Sequence, residues 1–463
     1  MRFLCQCGRR THQKAQFIWL FFALFLTACS PTAPAAEVIE PTLPPELPTA
    51  TSVATTLAAT SLPTAIVTPA PAATFTPRPT TPPTLTSTPI PGPELAFIFL
   101  RDQQLFRYDL LDWSSQAVPL PSAGAIDEPV LSPDGRWLAF QDEEALKLIA
   151  LASGELLWSE ANKPIYRPGH VVFSPDSRQM AYTNKEALYL FDLDSLASRP
   201  FLTNDWSGFE EDVTTLVVYS VESWSADGAW LLVWRGYWEG GELELAEMAT
   251  GVVYPFPGCM PDVSWAPAGA QFAMAMRYSS YHLCGQADGV YRVEPSTQGV
   301  TLQALYDALP EPSEQEWLGP ADVAWSPDRP LIAFAHVYDT DIHAAIQLIA
   351  PDGTGQQTLA ASADAEFATP LWLAASSQLA FTEWRAGYCA LHTVDLTSGA
   401  DAVRPVGSDP CRLVAVADDQ WLILATTLPS GRRQLLLLDR FSETQVALDV
   451  GHGGFVGWDR AGQ

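Results

Sequence analysis

A ten-residue pattern that recurs along the chain constrains the fold more than any other feature of the sequence. Each clear copy begins with an aromatic residue or Leu, continues with a turn similar to Ser-Pro-Asp-Gly, and ends in an apolar run. Proline fixes φ at the second turn position, Asp caps the turn and Gly accepts positive φ, so each copy predicts a tight hairpin. The copies are LSPDGRWLAF at 131–140, FSPDSRQMAY at 173–182, WSADGAWLLV at 224–233, WAPAGAQFAM at 265–274, WSPDRPLIAF at 325–334, and the weaker WLAASSQLAF at 372–381 and AVADDQWLIL at 415–424.

The segments between the copies supply two further strands for each hairpin. ALYLFDLDS and SRPFLT, for example, follow the copy at 173–182. The apolar runs are short and rich in β-branched and aromatic residues, and no long helical periodicity interrupts them. Four strands per copy, at a spacing of 41–60 residues, are typical of the blades of a β-propeller. The sequence therefore predicts an all-β propeller with eight blades, or with seven if the weak copy near 415 is not a blade.

The two ends of this region predict how the ring closes. GFVGWDRAGQ at 454–463 matches DVSWAPAGAQ at 262–271, which contains an innermost strand and the turn after it. ELAFIFL at 94–100 has the character of a second strand that lacks its first. We therefore expect the C-terminal segment to supply the innermost strand of the first blade, which removes a free sheet edge.

The copies resemble the WD40-like repeats of TolB-type propellers, and the resemblance covers about 370 residues. It implies a propeller fold. TolB itself has an α/β domain ahead of the propeller, where this chain has a segment rich in Pro and Thr, so the resemblance does not imply a shared partner. One repeat position holds a Trp in five copies, and we expect these rings to fill the core between blades: Trp224, Trp265, Trp325, Trp372 and Trp458.

The first 28 residues have the features of an export signal. Four basic residues precede an apolar run at 17–25, which is shorter than the ~20 residues that a spanning helix needs. Leu26-Thr27-Ala28-Cys29 follows, and this order resembles the signal peptide and lipobox of bacterial lipoproteins. The resemblance implies cleavage before Cys29, lipidation of its thiol and an extracytoplasmic protein anchored to the inner or outer membrane. The alternatives are an ordinary signal peptide with a chance Cys, or a short membrane anchor.

The segment at 29–93 is predicted to be a disordered tether between the lipidated Cys and the propeller at 94–463. Residues 30–93 contain 16 Pro and 16 Thr but only four charged residues. Such a segment cannot bury enough apolar surface to fold, and repeated Pro favours an extended chain.

Composition and motifs argue against several classes of function. The chain has 53 acidic and 25 basic residues, a net charge of −28, whereas binding to nucleic acid needs clustered Lys and Arg. The signature motifs of common hydrolases, metalloproteases, redox dithiols and nucleotide-binding loops are absent. We expect a monomer that is not an enzyme and has no cofactor, no metal and no catalytic residue, and we assign His336 and His343 to a solvated polar loop. LASGELLW at 151–158 resembles a repeat of eight-bladed pyrroloquinoline-quinone enzymes, so a quinoprotein-like enzyme is a further alternative.

Four cysteines remain in the propeller region: Cys259, Cys284, Cys389 and Cys411. Outside the cytoplasm, an even set predicts disulfides. In a four-stranded blade the loops that carry these residues share one face, and the pairs Cys259–Cys284 and Cys389–Cys411 are each local. We therefore expect these two disulfides, because the other pairings join distant blades. A zinc site would need paired short spacings, which are missing.

Several loops that are predicted to share one face of the ring are long, aromatic and acidic. They are NDWSGFEED at 204–212, RGYWEGGE at 235–242, RYSSYHLCGQ at 277–286, EPSEQEWLG at 311–319 and EWRAGYC at 383–389. Aromatic rings beside carboxylates and Arg are typical of protein hot spots and of sugar binding, although such rings also serve only to cap blade ends. The candidate binding residues are Trp206, Tyr237, Trp238, Tyr281, His282, Trp317, Trp384, Arg385 and Tyr388.

These features together predict a membrane-anchored, extracytoplasmic β-propeller. Its expected role is that of a non-catalytic protein-binding or scaffolding module at the cell envelope, with an envelope protein as the partner. The alternative is recognition of a cell-surface glycan or a small ligand by the same loops. The sequence does not identify the partner.

Overall fold

The computed structural model describes residues 96–459, except for gaps at 122–123, 144, 162–170, 208–215, 238–239, 257–261, 277–288, 308–318, 338–343, 374–376, 418–419 and 443. The described residues form 32 strands and no helix. The strands make eight antiparallel sheets of four strands each. This confirms the prediction of an all-β propeller with eight blades, and the alternative of seven is wrong.

Each of the first four blades has its strands in the following order from the ring axis outward. Blade 1 is β32 (Gly454–Asp459), β1 (Ala96–Arg101), β2 (Gln104–Asp109) and β3 (Ser114–Ala117); blade 2 is β4 (Asp127–Leu131), β5 (Trp137–Gln141), β6 (Leu146–Ala150) and β7 (Glu155–Glu160); blade 3 is β8 (Val171–Phe173), β9 (Gln179–Thr183), β10 (Ala187–Asp192) and β11 (Ala197–Thr203); blade 4 is β12 (Val218–Trp224), β13 (Trp230–Tyr237), β14 (Gly240–Glu247) and β15 (Val253–Pro255).

The other four blades follow the same order. Blade 5 is β16 (Asp262–Trp265), β17 (Phe272–Met276), β18 (Gly289–Ser296) and β19 (Gly299–Asp307); blade 6 is β20 (Gly319–Trp325), β21 (Ile332–Val337), β22 (Ala344–Ile349) and β23 (Gln357–Ser362); blade 7 is β24 (Glu366–Trp372), β25 (Gln378–Arg385), β26 (Tyr388–Asp395) and β27 (Ala400–Gly407); blade 8 is β28 (Cys411–Ala417), β29 (Trp421–Thr427), β30 (Arg433–Asp439) and β31 (Gln445–Gly451).

Apolar clusters between consecutive blades hold the ring together. Eight clusters of buried residues occur in the described part of the chain, and each draws its members from two neighbouring blades. One of them joins blade 8 to blade 1 through Phe97, Phe99, Ile423 and Leu437, all at most 1% exposed. Burial of apolar surface between blades therefore continues around the whole circle.

The first blade is completed by the last strand. β32 pairs with β1 in the register Ala96↔Asp459 and Phe97↔Trp458, which confirms the predicted closure. The ion pair between Arg107 and Asp459 adds a polar contact across the blade, with 2.7 Å between Nε and Oδ2. Closure removes the sheet edge that an open ring would expose.

The repeated turns have the predicted hydrogen bonds. In blade 2 the Ser132 hydroxyl donates to Asp134 Oδ1 over 2.7 Å, and Gly135 has a φ of 75°. The same Ser–Asp contact occurs in blades 3 and 4 over 2.6 and 2.7 Å. We call the end of the ring that carries these turns the turn face. The opposite end, where strand 2 turns into strand 3 and strand 4 leaves for the next blade, is the loop face.

The repeated Trp residues pack between blades, as their position in the pattern predicts. Trp224 is a buried member of the cluster between blades 3 and 4, and the other four pack against the corresponding clusters. Three indole N–H groups also donate to the innermost strand of the preceding blade. The acceptors are the Val172 carbonyl at 3.3 Å from Trp224, the Ser223 hydroxyl at 2.9 Å from Trp265 and the Ala324 carbonyl at 3.0 Å from Trp372.

Candidate functional site

The five aromatic and acidic segments predicted to share one face are all connections at the loop face. Each joins strand 2 to strand 3 of one blade, or strand 4 to strand 1 of the next. Of the candidate residues within them, the structure describes the side chains of Trp206, Trp384, Arg385 and Tyr388. Tyr237 is described only as the last residue of β13. The remaining candidates lie outside the described residues: Trp238, Tyr281, His282 and Trp317. The same is true of Cys29, Cys259 and Cys284.

Trp206 and Trp384 both take part in contacts within the ring. The Trp206 indole N–H donates to the Lys185 carbonyl over 2.5 Å, which ties the connection after blade 3 to the hairpin of that blade. Trp384 packs against the apolar cluster between blades 7 and 8. Because strand residues alternate sides, Trp384 faces blade 8 while its neighbours Glu383 and Arg385 face blade 6. The structure therefore does not bring Trp384 together with Arg385.

Arg385 and Tyr388 do form one site on the blade 6 side of blade 7. A two-residue turn joins β25 to β26 and pairs these residues in register. The Arg385 guanidinium lies over the Tyr388 ring at 5.7 Å from its centroid, in the geometry of a cation–π contact. It also forms a close ion pair with Glu383, and a longer one of 3.6 Å with Asp364 in the connection from blade 6.

His392 extends this site away from the loop face, from β25 to the next strand outward, β26. Its Nε2 lies 3.1 Å from Glu383 Oε2, and its Nδ1 lies 2.8 Å from Asp401 Oδ2. The Phe381 ring stacks on the imidazole, with 4.8 Å between centroids and 8° between planes. We call Glu383, Arg385, Tyr388, His392, Asp401 and Asp364 the blade 7 cluster.

The blade 7 cluster is a continuous polar chain from the loop face to the outermost strand of the blade. Asp401 can hold the imidazole in one orientation while Glu383 contacts both the imidazole and the guanidinium. Either the ring carries two N–H donors, or one of the two carboxyl groups carries a proton, because both ring nitrogens face carboxylate oxygens. The arrangement can present a fixed guanidinium to a partner.

Sequence reasoning missed Glu383, His392 and Asp401 as site residues. A signal for Glu383 does exist, because it stands two residues after the last residue of the copy at 372–381. The same position holds Asp142, Arg235 and His336 in blades 2, 4 and 6. Alignment of the copies two residues further along would have shown a recurrent polar position below the loop face.

His336 does not lie in a solvated polar loop, so that assignment is wrong. It is part of β21 and 0% exposed, and its Nδ1 lies 2.9 Å from the Tyr306 hydroxyl. Burial lowers the pKa of His336 to about 4, because the charged form loses hydration. His343 lies outside the described residues.

Cys389 and Cys411 lie beside each other at the junction of blades 7 and 8. Their Cα atoms are 6.1 Å apart, which is within the range that a disulfide spans, and the two Sγ atoms are in contact. Among the described residues, no group of three His, Cys, Asp or Glu side chains is placed to hold a metal ion. Within the same residues there is also no helix with the length and apolarity of a membrane span.

Comparison with known proteins identifies the fold and no family. No protein-family model matches the chain. A search of curated proteins also found no match. Solved structures do match, including dihydro-heme d1 dehydrogenase NirN, at 16% identity and a TM-score of 0.52 over 79% of this chain and 75% of that chain. Dipeptidyl peptidase 4 of Porphyromonas gingivalis matches at 12% identity and a TM-score of 0.52, over 76% of this chain and 57% of that chain.

The eight four-stranded sheets confirm the propeller fold that the TolB resemblance implies. Putative TolB from Agrobacterium tumefaciens is among the matching structures, at 17% identity over 58% of this chain and 89% of that chain. Its TM-score of 0.32 is too low to carry an argument. At such identities, likeness to any of these structures shows the fold alone.

The expectation that the chain is not an enzyme is corrected by these comparisons. That expectation rests on the absence of familiar signature motifs from the sequence. A dehydrogenase and a peptidase are among the structures that share the fold, so a propeller of this kind is not a reason to exclude catalysis.

Proposed function

We propose that this chain is a lipid-anchored β-propeller of the bacterial cell envelope that binds an envelope protein through the loop face around blade 7. The observation that carries the binding surface is the fixed position of Arg385. Carboxylates contact its guanidinium from two sides, Glu383 within blade 7 and Asp364 from the connection after blade 6. The Tyr388 ring contacts the guanidinium through a cation–π interaction.

A fixed, accessible Arg next to Tyr is well suited to a binding hot spot. The Arg385 side chain is 42% exposed, and Asp364 beside it is 73% exposed. Arg and Tyr are enriched among the residues that dominate binding energies, and a side chain held before binding loses less entropy in the complex. The surrounding carboxylates, with the net charge of −28, favour a partner with basic residues around its contact.

The anchor and the tether rest on the sequence. The lipobox-like segment at 26–29 and the Pro- and Thr-rich segment at 30–93 would hold the ring at the membrane while leaving its faces accessible. Replacement of Cys29 by Ala (Cys29→Ala) should move the protein from the membrane fraction to the soluble fraction of the producing cell. Retention of Cys29→Ala on membranes would contradict lipid anchoring.

Photo-crosslinking tests the binding surface. A photoreactive amino acid at Gly387, in the turn between Arg385 and Tyr388, should give one discrete adduct with an envelope protein. The same probe at Phe441 is the control, because this residue is 73% exposed but belongs to the turn between β30 and β31 on the opposite face. The adduct should form from Gly387 and not from Phe441.

A matched pair of substitutions sharpens this test. Arg385→Ala should abolish the adduct, whereas Arg136→Ala should not. Arg136 also pairs with a carboxylate and lies over an aromatic ring, Asp134 at 2.5 Å and Trp137 at 5.3 Å, but on the turn face. A protein adduct that survives Arg385→Ala would overturn the proposed surface. An adduct that contains a glycan and no protein would favour the alternative of glycan recognition.

A further inference from the structure

A second candidate site lies on the turn face, between blades 3 and 4, at the opposite end of the ring from the blade 7 cluster. The pocket has a volume of about 260 Å³, which is room for one small organic molecule. The turns after β8 and β12 form two of its walls. The side chains that matter for binding are Asp176, Asp227, Gln179, Arg199, Trp224 and Met248.

The repeat explains why this junction is open. At the junction of blades 2 and 3, the Ser177 hydroxyl accepts a hydrogen bond from the Asp134 backbone N–H over 3.1 Å and so bridges the two turns. The residue that corresponds to Ser177 in blade 4 is Gly228, which has no side chain to make this bridge to blade 3. A Cβ atom at Gly228 would have Pro175 Cδ as its nearest neighbour, at 4.0 Å, so the space beside it is unfilled.

Two carboxylates face this opening with one oxygen atom each to spare. Oδ1 of Asp176 accepts hydrogen bonds from the Ser174 hydroxyl and the Arg178 N–H, and Oδ1 of Asp227 is used by its own turn in the same way. Among the described residues, neither Oδ2 atom has a hydrogen-bond donor. The hydrogen bond from Ser174 also holds the pKa of Asp176 below its usual value, so this carboxylate is ionised at neutral pH.

Arg199 supplies the opposite charge. It is an exposed residue of β11, and its guanidinium lies 5.8 Å from the centroid of the Phe201 ring. No carboxylate of the described residues pairs with it. A guanidinium without a partner, beside two carboxylates with unused oxygens, gives the pocket separate sites for a cationic and an anionic group.

Apolar atoms form the remaining wall. Trp224 is 8% exposed and is fixed by its indole hydrogen bond to the Val172 carbonyl, and Met248 is half-buried beside it. A rigid indole and a flexible thioether accept apolar groups of several shapes. The wall therefore suits a small aliphatic or aromatic group next to the charged ones.

We propose that this pocket binds a free α-amino acid with an apolar side chain. The α-ammonium group contacts Asp176 and Asp227, the α-carboxylate pairs with Arg199, and the side chain packs on Trp224 and Met248. This site is separate from the proposed protein-binding surface at blade 7, and neither proposal depends on the other. Binding at this pocket requires no covalent step.

Titration calorimetry on the full-length chain in detergent tests the site with L-leucine, L-methionine and L-phenylalanine as probes. We expect saturable binding of at least one of them below about 10 mM, the weak range typical of a small open site. Isoamylamine lacks the carboxylate of leucine, and N-acetyl-L-leucine lacks its ammonium group. The affinity of each should be lower than that of L-leucine by a factor of about ten or more. Absence of saturable binding for all three amino acids would overturn the proposal.

Gly228→Ser tests the location of the site. The new hydroxyl would bridge to blade 3 as Ser177 does to blade 2, and it should weaken amino-acid binding about tenfold or more. Ser177 has a φ of 56° and Gly228 a φ of 70°, so the turn accepts Ser in nearly this conformation. Gly269→Ser is the matched control, because Gly269 holds the same turn position in blade 5, with a φ of 75° and open space at its Cβ. It should leave the affinity unchanged.

Arg199→Gln provides a second variant that does not depend on turn geometry. This exposed substitution should weaken binding of the amino acid but leave the weak binding of isoamylamine unchanged, because only the amino acid has a carboxylate. Equal affinities of the wild type, Gly228→Ser and Arg199→Gln for the amino acid would place the binding elsewhere and overturn the proposal.

Discussion

Blades 4 and 7 use the same positions of the repeat in different ways. Arg235 in blade 4 corresponds to Glu383 in blade 7, and Glu244 corresponds to His392, since Glu244 pairs with Val233 and His392 with Phe381. In blade 7, Glu383 contacts both Arg385 and His392. In blade 4, Arg235 makes its hydrogen bond to Glu242 at 3.0 Å and stays 3.9 Å from Glu244.

The result is a satisfied buried carboxylate in one blade and an unsatisfied one in the other. Glu244 is 5% exposed, and no residue that the structure describes donates a hydrogen bond to its Oε2. Desolvation by burial raises the pKa of Glu244, and the nearby Arg235 offsets this only in part. The comparison teaches that the repeat determines which positions can hold a buried polar pair. The charged residues next to the pair then decide whether it stabilises the ring.

The largest effect is expected for Glu383→Ala. This change removes the carboxylate that contacts both His392 and Arg385, and leaves the buried imidazole without this partner. Loss of one partner from a buried charged network costs about 3–5 kcal/mol, so the urea midpoint should fall markedly. Glu242→Ala in blade 4 is the control, because its side chain is 37% exposed and its removal should cost below about 1 kcal/mol. A similar loss for both variants would contradict the comparison.

The Cys389–Cys411 contact should give the next largest effect. We expect a disulfide in protein from an oxidising compartment, and the sequence separation of 22 residues corresponds to about 3 kcal/mol of stabilisation. Peptide mapping without reduction should show the linked peptides. Cys389→Ala should lower the free energy of unfolding by about this amount, and reduction should lower it less in the variant than in the wild type. Free thiols at both positions would contradict this prediction.

Glu244→Gln should stabilise the ring at neutral and alkaline pH. The pKa of Glu244 is higher in the folded state than the usual 4.5, so the folded state favours the protonated form. The stabilisation from this group is present at and below pH 4.5 and is lost as the pH rises through the folded-state pKa. The Gln variant should therefore match the wild type below pH 4.5 and be more stable than the wild type at about pH 8.

Chemical unfolding of both proteins at the two pH values checks this expectation. Glu294→Gln is the control, because Glu294 is 48% exposed and forms only a 3.7 Å ion pair with Arg292. The difference in the free energy of unfolding between Glu294→Gln and the wild type should change less with pH than the difference for Glu244→Gln. A constant difference between Glu244→Gln and the wild type across this pH range would show that Glu244 does not titrate as burial requires.

The fold is predictable from the sequence because its signals are local. Ser132, Asp134 and Gly135 make their turn within one hairpin, and the copies of this turn mark each blade. The closing strand is also predictable, because residues 454–463 repeat a pattern seen in the middle of the chain. Local turn chemistry and its period are thus enough to count blades.

The blade 7 cluster is predictable only in part, because it depends on register. Arg385 and Tyr388 stand in one hairpin and are both predicted, but Glu383, His392 and Asp401 come from three strands. They meet because β25, β26 and β27 pair in one particular register, which composition does not reveal. Sequence reasoning also groups Trp384 with Arg385, because it places both residues in a loop. In the structure β25 continues to Arg385, so the two side chains point to opposite sides of the strand and Trp384 faces blade 8.

The smallest effect is expected for Asp364→Asn, at the outer edge of the blade 7 cluster. Its carboxylate is 73% exposed and 3.6 Å from the guanidinium of Arg385, which is itself 42% exposed. Exposed pairs of this kind contribute about 0.2–1 kcal/mol and weaken with salt, so stability should fall by less than about 0.5 kcal/mol. Double-mutant cycles with Arg385→Ala at low and high salt measure the coupling. A coupling above about 2 kcal/mol would mean that Asp364 acts with Glu383 as part of the buried network.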